Sequence, residues 1–269
     1  MKSSMFLKKL LSLIFLSTTI YLSSEIVESD DFSVVMEHCQ EDTLLVCDLD
    51  NTLIESSQHL GSISWKDYIL IKSENSGHTK KESEELQAKF WQFIQPFLRV
   101  RLVEDSIQNT LTELKKKGVY VLAITERHPE EFAHTKKQLN SVNLKMSSFG
   151  KKRPISVNEP ALYSKGILFC GNNKKTQTLA CFLKTLKTTP KKIVFIDDHA
   201  FCALEVNNLF KNESTPCVAI RYAKTDERCD NFSPFISDLQ WYVLPKYLSD
   251  EDAYKMLNQK LADKTGKNN

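Results

Sequence analysis

The chain has 269 residues, of which 41% are hydrophobic and 26% are charged, so it carries enough apolar material for a sizeable core, and bulk disorder is excluded. The 36 basic and 34 acidic residues leave a formal net charge of +2, which gives no signal for nucleic-acid binding. None of the seven glycines forms a G-x-G-x-x-G or Walker-type loop, which excludes the usual cradles for dinucleotides and nucleoside triphosphates.

The first predicted element, residues 1–24, has the layout of a secretory signal peptide. Basic residues precede an apolar stretch from Leu10 to Leu22, and the small polar residues Ser23 and Ser24 follow. The pattern predicts an exported chain, periplasmic or secreted, with cleavage near Ser24. Retention as a membrane tether is the alternative, although the apolar stretch is shorter than the roughly 20 residues that span a bilayer.

Apolar runs without alternation predict parallel strands that are covered on both faces. In chain order they are Leu44–Cys47, Val119–Ile124, Ile167–Cys170, Ile193–Ile196 and Cys217–Arg221. Amphipathic helical patterns lie between them. Strands separated by helices imply βαβ crossovers, so the sequence predicts an α/β fold with a mainly parallel sheet flanked by helices.

The connection after the first of these strands is far longer than usual for such a fold. Residues 58–104 have a helical pattern and are predicted to form a small helical cap insert over the carboxyl edge of the sheet. Residues 25–57 and 105–250 are predicted to form the core, and residues 251–269 a C-terminal helix followed by a disordered tail. Five aromatic residues of the insert are predicted to pack in its interior, namely Trp65, Phe90, Trp91, Phe93 and Phe97.

The strand that begins at Leu44 ends in two aspartates, within the run LLVCDLDNTL. On extended backbone the carboxylates of Asp48 and Asp50 would stand ~6–7 Å apart on one face and would repel by roughly 2–3 kcal/mol at an effective dielectric constant near 20. A buried strand end tolerates such a pair only if a cation offsets the charge. A calcium loop of the EF-hand type is not supported, because Leu53 and His59 stand where a glycine and an acid are required.

A second acidic pair, Asp197 and Asp198, ends the apolar strand of the run KKIVFIDDHA. In open α/β sheets ligands bind beyond the carboxyl ends of the strands, so both pairs are expected at one site. Oxygen ligands of this kind suit a hard cation, most plainly Mg²⁺.

Two further runs place phosphate-binding groups at the same edge. The run VYVLAITER ends its strand on the hydroxyl of Thr125, followed by Arg127, and the run GNNKKTQTL opens a helix with Lys174 or Lys175. A helix N-terminus with a lysine in its first turn attracts anions through exposed amides and through charge. Carboxylates, hydroxyl, lysine and metal together describe a site for a phosphoryl group.

Taken in order, DLDNTL, AIT, the lysine of NNKKTQTL and FIDD resemble the four motifs of the haloacid-dehalogenase-like (HAD) superfamily of phosphatases, across residues 44–199. The layout also resembles a family of secreted HAD-like proteins of intracellular bacteria whose activity is uncharacterised. The resemblance implies a Rossmann-like core, a Mg²⁺ cofactor and hydrolysis of a small phosphorylated substrate by a bacterial enzyme.

The resemblance further implies a role for each matching position. Asp48 would be the nucleophile that forms an aspartyl-phosphate and would also bind Mg²⁺. Asp50 would act as general acid and then as general base, and its backbone carbonyl would contact the metal. Thr125 would donate a hydrogen bond to the phosphoryl group, and Asp197 and Asp198 would complete the metal shell.

The lysine that neutralises the phosphoryl group is Lys174 or Lys175. The family pattern places it about four residues before a helical leucine, which favours Lys175 because Leu179 follows at that spacing. Arg127 is a further candidate for substrate contact, and a solvated surface arginine is its alternative. For Thr125 the alternative is a cap of the next helix.

Two other functions stay open at this point. The chain could be a HAD-derived binding or effector module with little or no turnover, or a phosphotransferase of the mutase type. The intact acidic set favours the phosphatase. The sequence gives no signal for the oligomeric state, and it predicts membrane contact only through an uncleaved leader.

Overall fold

The computed structural model describes residues 25–266 of the chain, with side chains through residue 260. The predicted signal peptide, residues 1–24, therefore lies outside the described residues, as do the last three residues of the chain. Within the described part, every helix is too short or too polar to cross a membrane.

The described residues form ten strands and ten α-helices. The strands are β1 (Glu25–Ser29), β2 (Thr43–Asp48), β3 (Ile54–Ser56), β4 (Val100–Leu102), β5 (Tyr120–Thr125), β6 (Arg153–Ile155), β7 (Ala161–Ser164), β8 (Ile167–Phe169), β9 (Lys192–Asp197) and β10 (Cys217–Tyr222). The helices are α1 (Val35–His38), α2 (Ile63–Asn75), α3 (Lys80–Ile94), α4 (Ile107–Lys116), α5 (Phe132–Ser141), α6 (Lys175–Leu183), α7 (Ala200–Phe210), α8 (Asp226–Asp230), α9 (Pro234–Tyr242) and α10 (Asp250–Gly266).

Eight strands form one sheet in the order β1-β10-β9-β2-β5-β8-β7-β6. The first six are parallel, and β7 and β6 are antiparallel to their neighbours. The predicted α/β fold with a mainly parallel sheet flanked by helices is confirmed. The sequence reading missed β1, β6 and β7, as well as the separate antiparallel pair of β3 and β4.

The core lies on both faces of this sheet. Leu45 and Cys47 of β2 belong to one buried cluster together with α1 and α4, whereas Leu44 and Val46 belong to another with α6 and α7. Successive side chains of a strand point to opposite faces, so a strand covered on both faces must be apolar at every position. This is the physical reason for the unbroken apolar runs in the sequence.

The segment 58–104 contains α2 and α3, which begin at the capping residues Ser62 and Thr79. Trp65 and Trp91 are buried in a small apolar cluster, and Trp65 stacks on Trp241 of α9 at 6.0 Å between ring centroids. The predicted burial was wrong for three phenylalanines, which are between 37% and 56% exposed: Phe90, Phe93 and Phe97. The rings of Phe90 and Phe93 nevertheless pack against Trp241, at 5.3 and 5.6 Å between ring centroids. The division of the chain into core and cap stays a prediction.

The last helix, α10, runs from Asp250 to Gly266, within the segment predicted as a C-terminal helix followed by a disordered tail. Its first residue ties it to the start of the insert, because Asp250 Oδ1 accepts hydrogen bonds from the backbone N–H of His59 at 2.9 Å and from Gln240 Nε2 at 2.8 Å. The C-terminal part of the chain thus packs against the start of the segment 58–104.

Candidate active site

Three of the candidate residues end neighbouring strands of the sheet. Asp48 ends β2, Thr125 ends β5 and Asp197 ends β9, and all three are buried. In the strand register Asp48 lies beside Ile124, and Cys47 lies beside Ile196. The strands therefore end level with one another, and their terminal side chains share one edge of the sheet.

Lys175, the first residue of α6, places its ammonium between two of these carboxylates. Its Nζ lies 2.6 Å from Asp48 Oδ1 and 2.7 Å from Asp197 Oδ2, and the three side chains are at most 7% exposed. The sheet edge and the N-terminus of α6 thus meet in a single buried ion cluster.

The loop before α6 is fixed by Asn173, whose Nδ2 donates hydrogen bonds to the backbone carbonyls of Cys170 at 2.7 Å and Glu159 at 3.0 Å. This loop sets which lysine enters the site. Lys174 instead points outward, where its Nζ contacts Glu205 Oε1 at 2.5 Å and its side chain is 60% exposed. Lys174 lies at the rim of the site, and Lys175 lies within it.

The cluster holds more negative than positive charge. Burial raises the pKa of Asp48, since Lys175 offsets only part of the effect while Asp197 and Asp198 add to it. Burial alone would lower the pKa of Lys175, but Asp48 and Asp197 outweigh it and raise that pKa above its ordinary value. Burial and repulsion from Asp197 raise the pKa of Asp198 to about 6. A further cation would relieve this imbalance.

The same carboxylates fit a divalent metal. Ligand oxygens of Asp48, Asp197 and Asp198 lie within 4.8 Å of one another. Oδ1 of Asp198 is buried and has no hydrogen-bond partner among residues 25–260, which is unusual for a buried oxygen unless a ligand completes its contacts. Carboxylate oxygens are the ligands that Mg²⁺ prefers, so the residues present suit this ion.

Asp50 has a cationic partner of its own. Both of its carboxylate oxygens accept hydrogen bonds from Arg127, Oδ2 from Nε at 2.9 Å and Oδ1 from Nη2 at 2.6 Å. The Arg127 side chain is 4% exposed and that of Asp50 is 20% exposed. The two aspartates of the first motif therefore have separate partners, Lys175 for Asp48 and Arg127 for Asp50.

The remaining donors of Arg127 are largely used inside the protein. Its Nη1 donates to Thr135 Oγ1 at 3.0 Å and to Gln138 Oε1 at 2.6 Å, both on α5, and Gln138 Nε2 donates to Gln95 Oε1 at 3.1 Å. A guanidinium has five N–H groups, so one is left for a substrate. The geometry makes Arg127 chiefly a support for Asp50.

Arg127→Met is expected to destabilise the protein by about 2–3 kcal/mol, because Asp50 loses its buried cationic partner and Thr135 and Gln138 lose a hydrogen-bond donor. Urea unfolding followed by circular dichroism measures the loss. Lys72→Met is the matched control, since it breaks the exposed pair with Asp238 and should cost less than about 1 kcal/mol. Equal losses in the two variants would contradict a structural role for the Arg127–Asp50 pair.

Thr125 is held by a local hydrogen bond, in which its Oγ1 accepts from the backbone N–H of Arg127 at 3.1 Å. That bond is of the turn-forming kind, but it leaves the hydroxyl proton free to donate. Thr125 also lines the cleft above the carboxylates, so its geometry fits a cap of the following turn and a hydrogen-bond donor to a phosphoryl group.

A cleft of about 420 Å³ opens over the cluster. Its floor includes Asp48, Asp50, Thr125, Arg127, Lys175 and Asp198, and the insert supplies the opposite wall with Ile63, Lys66, Gln87, Ala88, Trp91 and Gln92. His128 and His199 also line it, whereas His59 packs against Tyr254 and Phe232 outside it. The volume is that of a site for a small molecule.

The sequence reading missed the supports on α5. Only Thr135, Gln138 and Leu139 are buried on this helix, so a search for apolar periodicity finds nothing there. The available signal was the pair of polar residues Thr135 and Gln138, three positions apart and followed by Leu139, in the helix that comes after Arg127. The sequence analysis also did not identify Lys66, which lines the cleft.

The fold and site together define an α/β protein with a lysine-bridged aspartate cluster at the carboxyl edge of a parallel sheet. The chain belongs to the family described as "Protein of unknown function (DUF2608)", whose model matches residues 25–254.

Similar proteins come from Chlamydia. One of Chlamydia pneumoniae, named "Putative outer membrane protein", is 26% identical over 82% of this chain and 85% of its own length. A protein of Chlamydia muridarum with the same name is 27% identical over 81% of this chain and 83% of its own.

Among solved structures, the chain is similar to one described as "Crystal structure of Putative haloacid dehalogenase-like hydrolase from Bacteroides fragilis". The identity is 14%, the match covers 68% of this chain and 98% of that chain, and the TM-score is 0.40.

Proposed function

We propose that the protein is a Mg²⁺-dependent phosphomonoester hydrolase that acts through an aspartyl-phosphate at Asp48. The observation that carries the proposal is the position of Lys175, whose ammonium lies between Asp48 and Asp197 at 2.6 and 2.7 Å beneath the cleft. The motif resemblance gives the same assignment from the sequence.

In the first step an oxygen of Asp48 attacks the phosphorus atom, and the bond from phosphorus to the leaving oxygen breaks. Lys175 orients the attacking carboxylate and offsets charge on the phosphoryl oxygens, and the Thr125 hydroxyl donates to one of them. A Mg²⁺ ion bound by Asp48, Asp197, Asp198 and the Asp50 carbonyl would supply further charge neutralisation.

The second step is attack of water on the same phosphorus atom, which frees inorganic phosphate and restores the Asp48 carboxylate. Asp50 gives a proton to the leaving oxygen in the first step and takes one from water in the second. Since both oxygens of Asp50 accept from Arg127, at least one of these hydrogen bonds must open during turnover. Arg127 then sets how readily Asp50 reaches the reacting atoms.

The proposal is tested with protein lacking residues 1–24 and a panel of phosphomonoesters, with phosphate release measured in the presence and absence of Mg²⁺. Release that requires Mg²⁺ is expected for at least one aryl phosphate. A second candidate is a phosphate-binding module without turnover. It is favoured because both carboxylate oxygens of Asp50 already accept hydrogen bonds from Arg127, which hinders proton transfer by Asp50. Metal binding without release from any member of the panel would select the module.

Mg²⁺ is expected to raise the melting temperature more strongly as the pH rises through about 6. The pKa of Asp198 is raised from 3.8 to about 6. Between pH 3.8 and about pH 6 the metal-free folded protein therefore binds one proton more than the unfolded chain. The stability that this proton contributes is lost as the pH rises through about 6. Since Mg²⁺ competes with the proton for the same oxygens, its effect grows over that range.

Thermal denaturation at pH 5 and pH 7.5, with and without Mg²⁺, measures this pH dependence. Asp198→Asn is the control, because the variant has no proton to lose at that position and the pH dependence of the Mg²⁺ effect should flatten. A Mg²⁺ effect that is the same at both pH values in the unaltered protein would count against the aspartate site.

We also propose that the protein is exported. The layout of residues 1–24 and the names of the chlamydial relatives support this. Cleavage after Ser24 would leave β1 intact, since that strand begins at Glu25 and pairs with β10. N-terminal sequencing of the mature protein from the cell envelope tests it, and an intact Met1 in exported material would indicate a tether.

A further inference from the structure

Lys66 differs from the other strongly basic side chains of the cleft. Arg127 pairs with Asp50, Lys174 with Glu205, and Lys175 with Asp48 and Asp197, all at hydrogen-bond distance. Within residues 25–260, Lys66 has no carboxylate at salt-bridge distance, although it lines the cleft and is half-buried.

The position of Lys66 is fixed by the packing of α2 on α3. Its backbone carbonyl accepts a hydrogen bond from Gln87 Nε2 at 2.8 Å. Its Nζ lies 5.6 Å from the centroid of the Trp91 ring, and Arg127 Cζ lies 6.0 Å from the same centroid. Trp91 is 7% exposed. A rigid indole therefore connects Lys66 on the cap wall with Arg127 on the floor.

The nearest acidic residues leave Lys66 without a direct partner. Glu84 lines the same wall, but its own contact is with Lys80 at 4.0 Å, and its side chain is 55% exposed. Asp67 follows Lys66 in the chain and remains beyond salt-bridge distance. A half-buried ammonium that faces a cleft and has no carboxylate partner is suited to an anionic ligand.

We infer that Lys66 binds a second anionic group of the substrate, so that the preferred substrates are compact phosphomonoesters bearing an additional phosphate or carboxylate. The inference rests on the proposed function, which places the reacting phosphoryl group beside Asp48 and Lys175. The second anion then lies on the cap side of Trp91. Gln87 and Gln92 also line the cleft, and amide side chains suit hydroxyl groups of the substrate.

The test compares three aryl phosphates that share one skeleton: phenyl phosphate, para-carboxyphenyl phosphate and para-phenylene bisphosphate. In Lys66→Met, kcat/KM for each of the two compounds with a second anionic group should fall about tenfold relative to kcat/KM for phenyl phosphate. The fall should come mainly from KM, as expected for loss of one charge-assisted contact. Lys66→Arg should restore much of the preference. Lys89→Met, an exposed lysine of α3 outside the cleft, is the matched control and should leave the relative rates as they are.

Comparison of para-carboxyphenyl phosphate with para-phenylene bisphosphate shows whether the second anionic group is preferred as a carboxylate or as a phosphate. If Lys66→Met lowers all three rates in proportion, the inference is wrong while the proposed function stands, since phenyl phosphate is still hydrolysed. If no compound is hydrolysed, the proposed function fails, and calorimetric titration of the Asp48→Asn protein decides the inference. Affinity for the bisphosphate that exceeds that for phenyl phosphate, and falls about tenfold when Lys66→Met is added, supports it; equal affinities overturn it.

Discussion

Asp48→Asn is expected to lower kcat for phosphate release by at least about a thousandfold, because removal of a covalent nucleophile disables both steps of the reaction. The amide is nearly the same size as the carboxylate, so the buried end of β2 should keep its packing. Phosphate release from an aryl phosphate at saturating Mg²⁺ measures the loss, and circular dichroism checks that the fold is retained.

The matched control for this prediction is Asp42→Asn. Asp42 lies just before β2, on an exposed turn where it pairs with Lys191 at 2.7 Å, and its substitution should leave kcat within about twofold, as for most surface changes. Release by Asp48→Asn at the rate of the unaltered protein would eliminate the covalent mechanism and would favour direct attack by water.

Lys175→Met is expected to have two effects. Loss of the ammonium removes charge stabilisation at the reacting phosphoryl group, so kcat/KM should fall at least about a hundredfold. In the metal-free protein it also leaves Asp48 and Asp197 without their buried partner, which should lower the free energy of unfolding by about 3 kcal/mol. Saturating Mg²⁺ should restore part of this stability, because the ion offsets the same carboxylates.

Lys174→Met separates this role from a general effect of charge at the start of α6. Its side chain is exposed and contacts Glu205, so stability should change by less than about 1 kcal/mol and the fall in kcat/KM should be much smaller. If Lys174→Met were the more damaging substitution, the register of the lysine motif would have to move by one residue.

The parallel sheet could be predicted because its strands are covered on both faces. Every residue from Leu44 to Cys47 is buried, and such a run has no amphipathic alternative as a strand. The position of the acidic pairs followed from the same argument, since a residue that ends a central parallel strand must lie at the carboxyl edge. Asp48 and Asp197 are 149 positions apart in the chain, and adjacent strands bring them to one lysine.

The partners of Asp50 could not be predicted in this way. The ion pair between Arg127 and Asp50 depends on α5, whose buried face is mostly polar and carries no periodic apolar signal. A guanidinium at a strand end is equally compatible with solvent, with substrate or with a carboxylate until the neighbouring helix is placed. The exposure of aromatic residues on α3, such as Phe93 at 56%, could not be predicted either, since aromatic spacing alone does not tell which turns of a helix are covered.

These contacts have a consequence for turnover. Arg127 joins the floor of the cleft to the insert, through Gln138 and Gln95 on one side and the Trp91 ring on the other. A substrate that contacts Trp91 would thus lie against the ring that faces Arg127, the partner of Asp50. The preference for a second anion at Lys66 and the release of Asp50 from Arg127 are expected to be linked through Trp91.

The most direct measurement is chemical trapping of the covalent intermediate. Protein turning over an aryl phosphate with Mg²⁺ is quenched and treated with sodium borohydride, which reduces an aspartyl-phosphate to homoserine with loss of phosphate, and the peptide containing residues 44–53 is examined by mass spectrometry. Homoserine is expected at position 48 in the unaltered protein, and none is expected without substrate or in Asp48→Asn. Continued phosphate release with Asp48 unmodified, or with the modification at another residue, would contradict it.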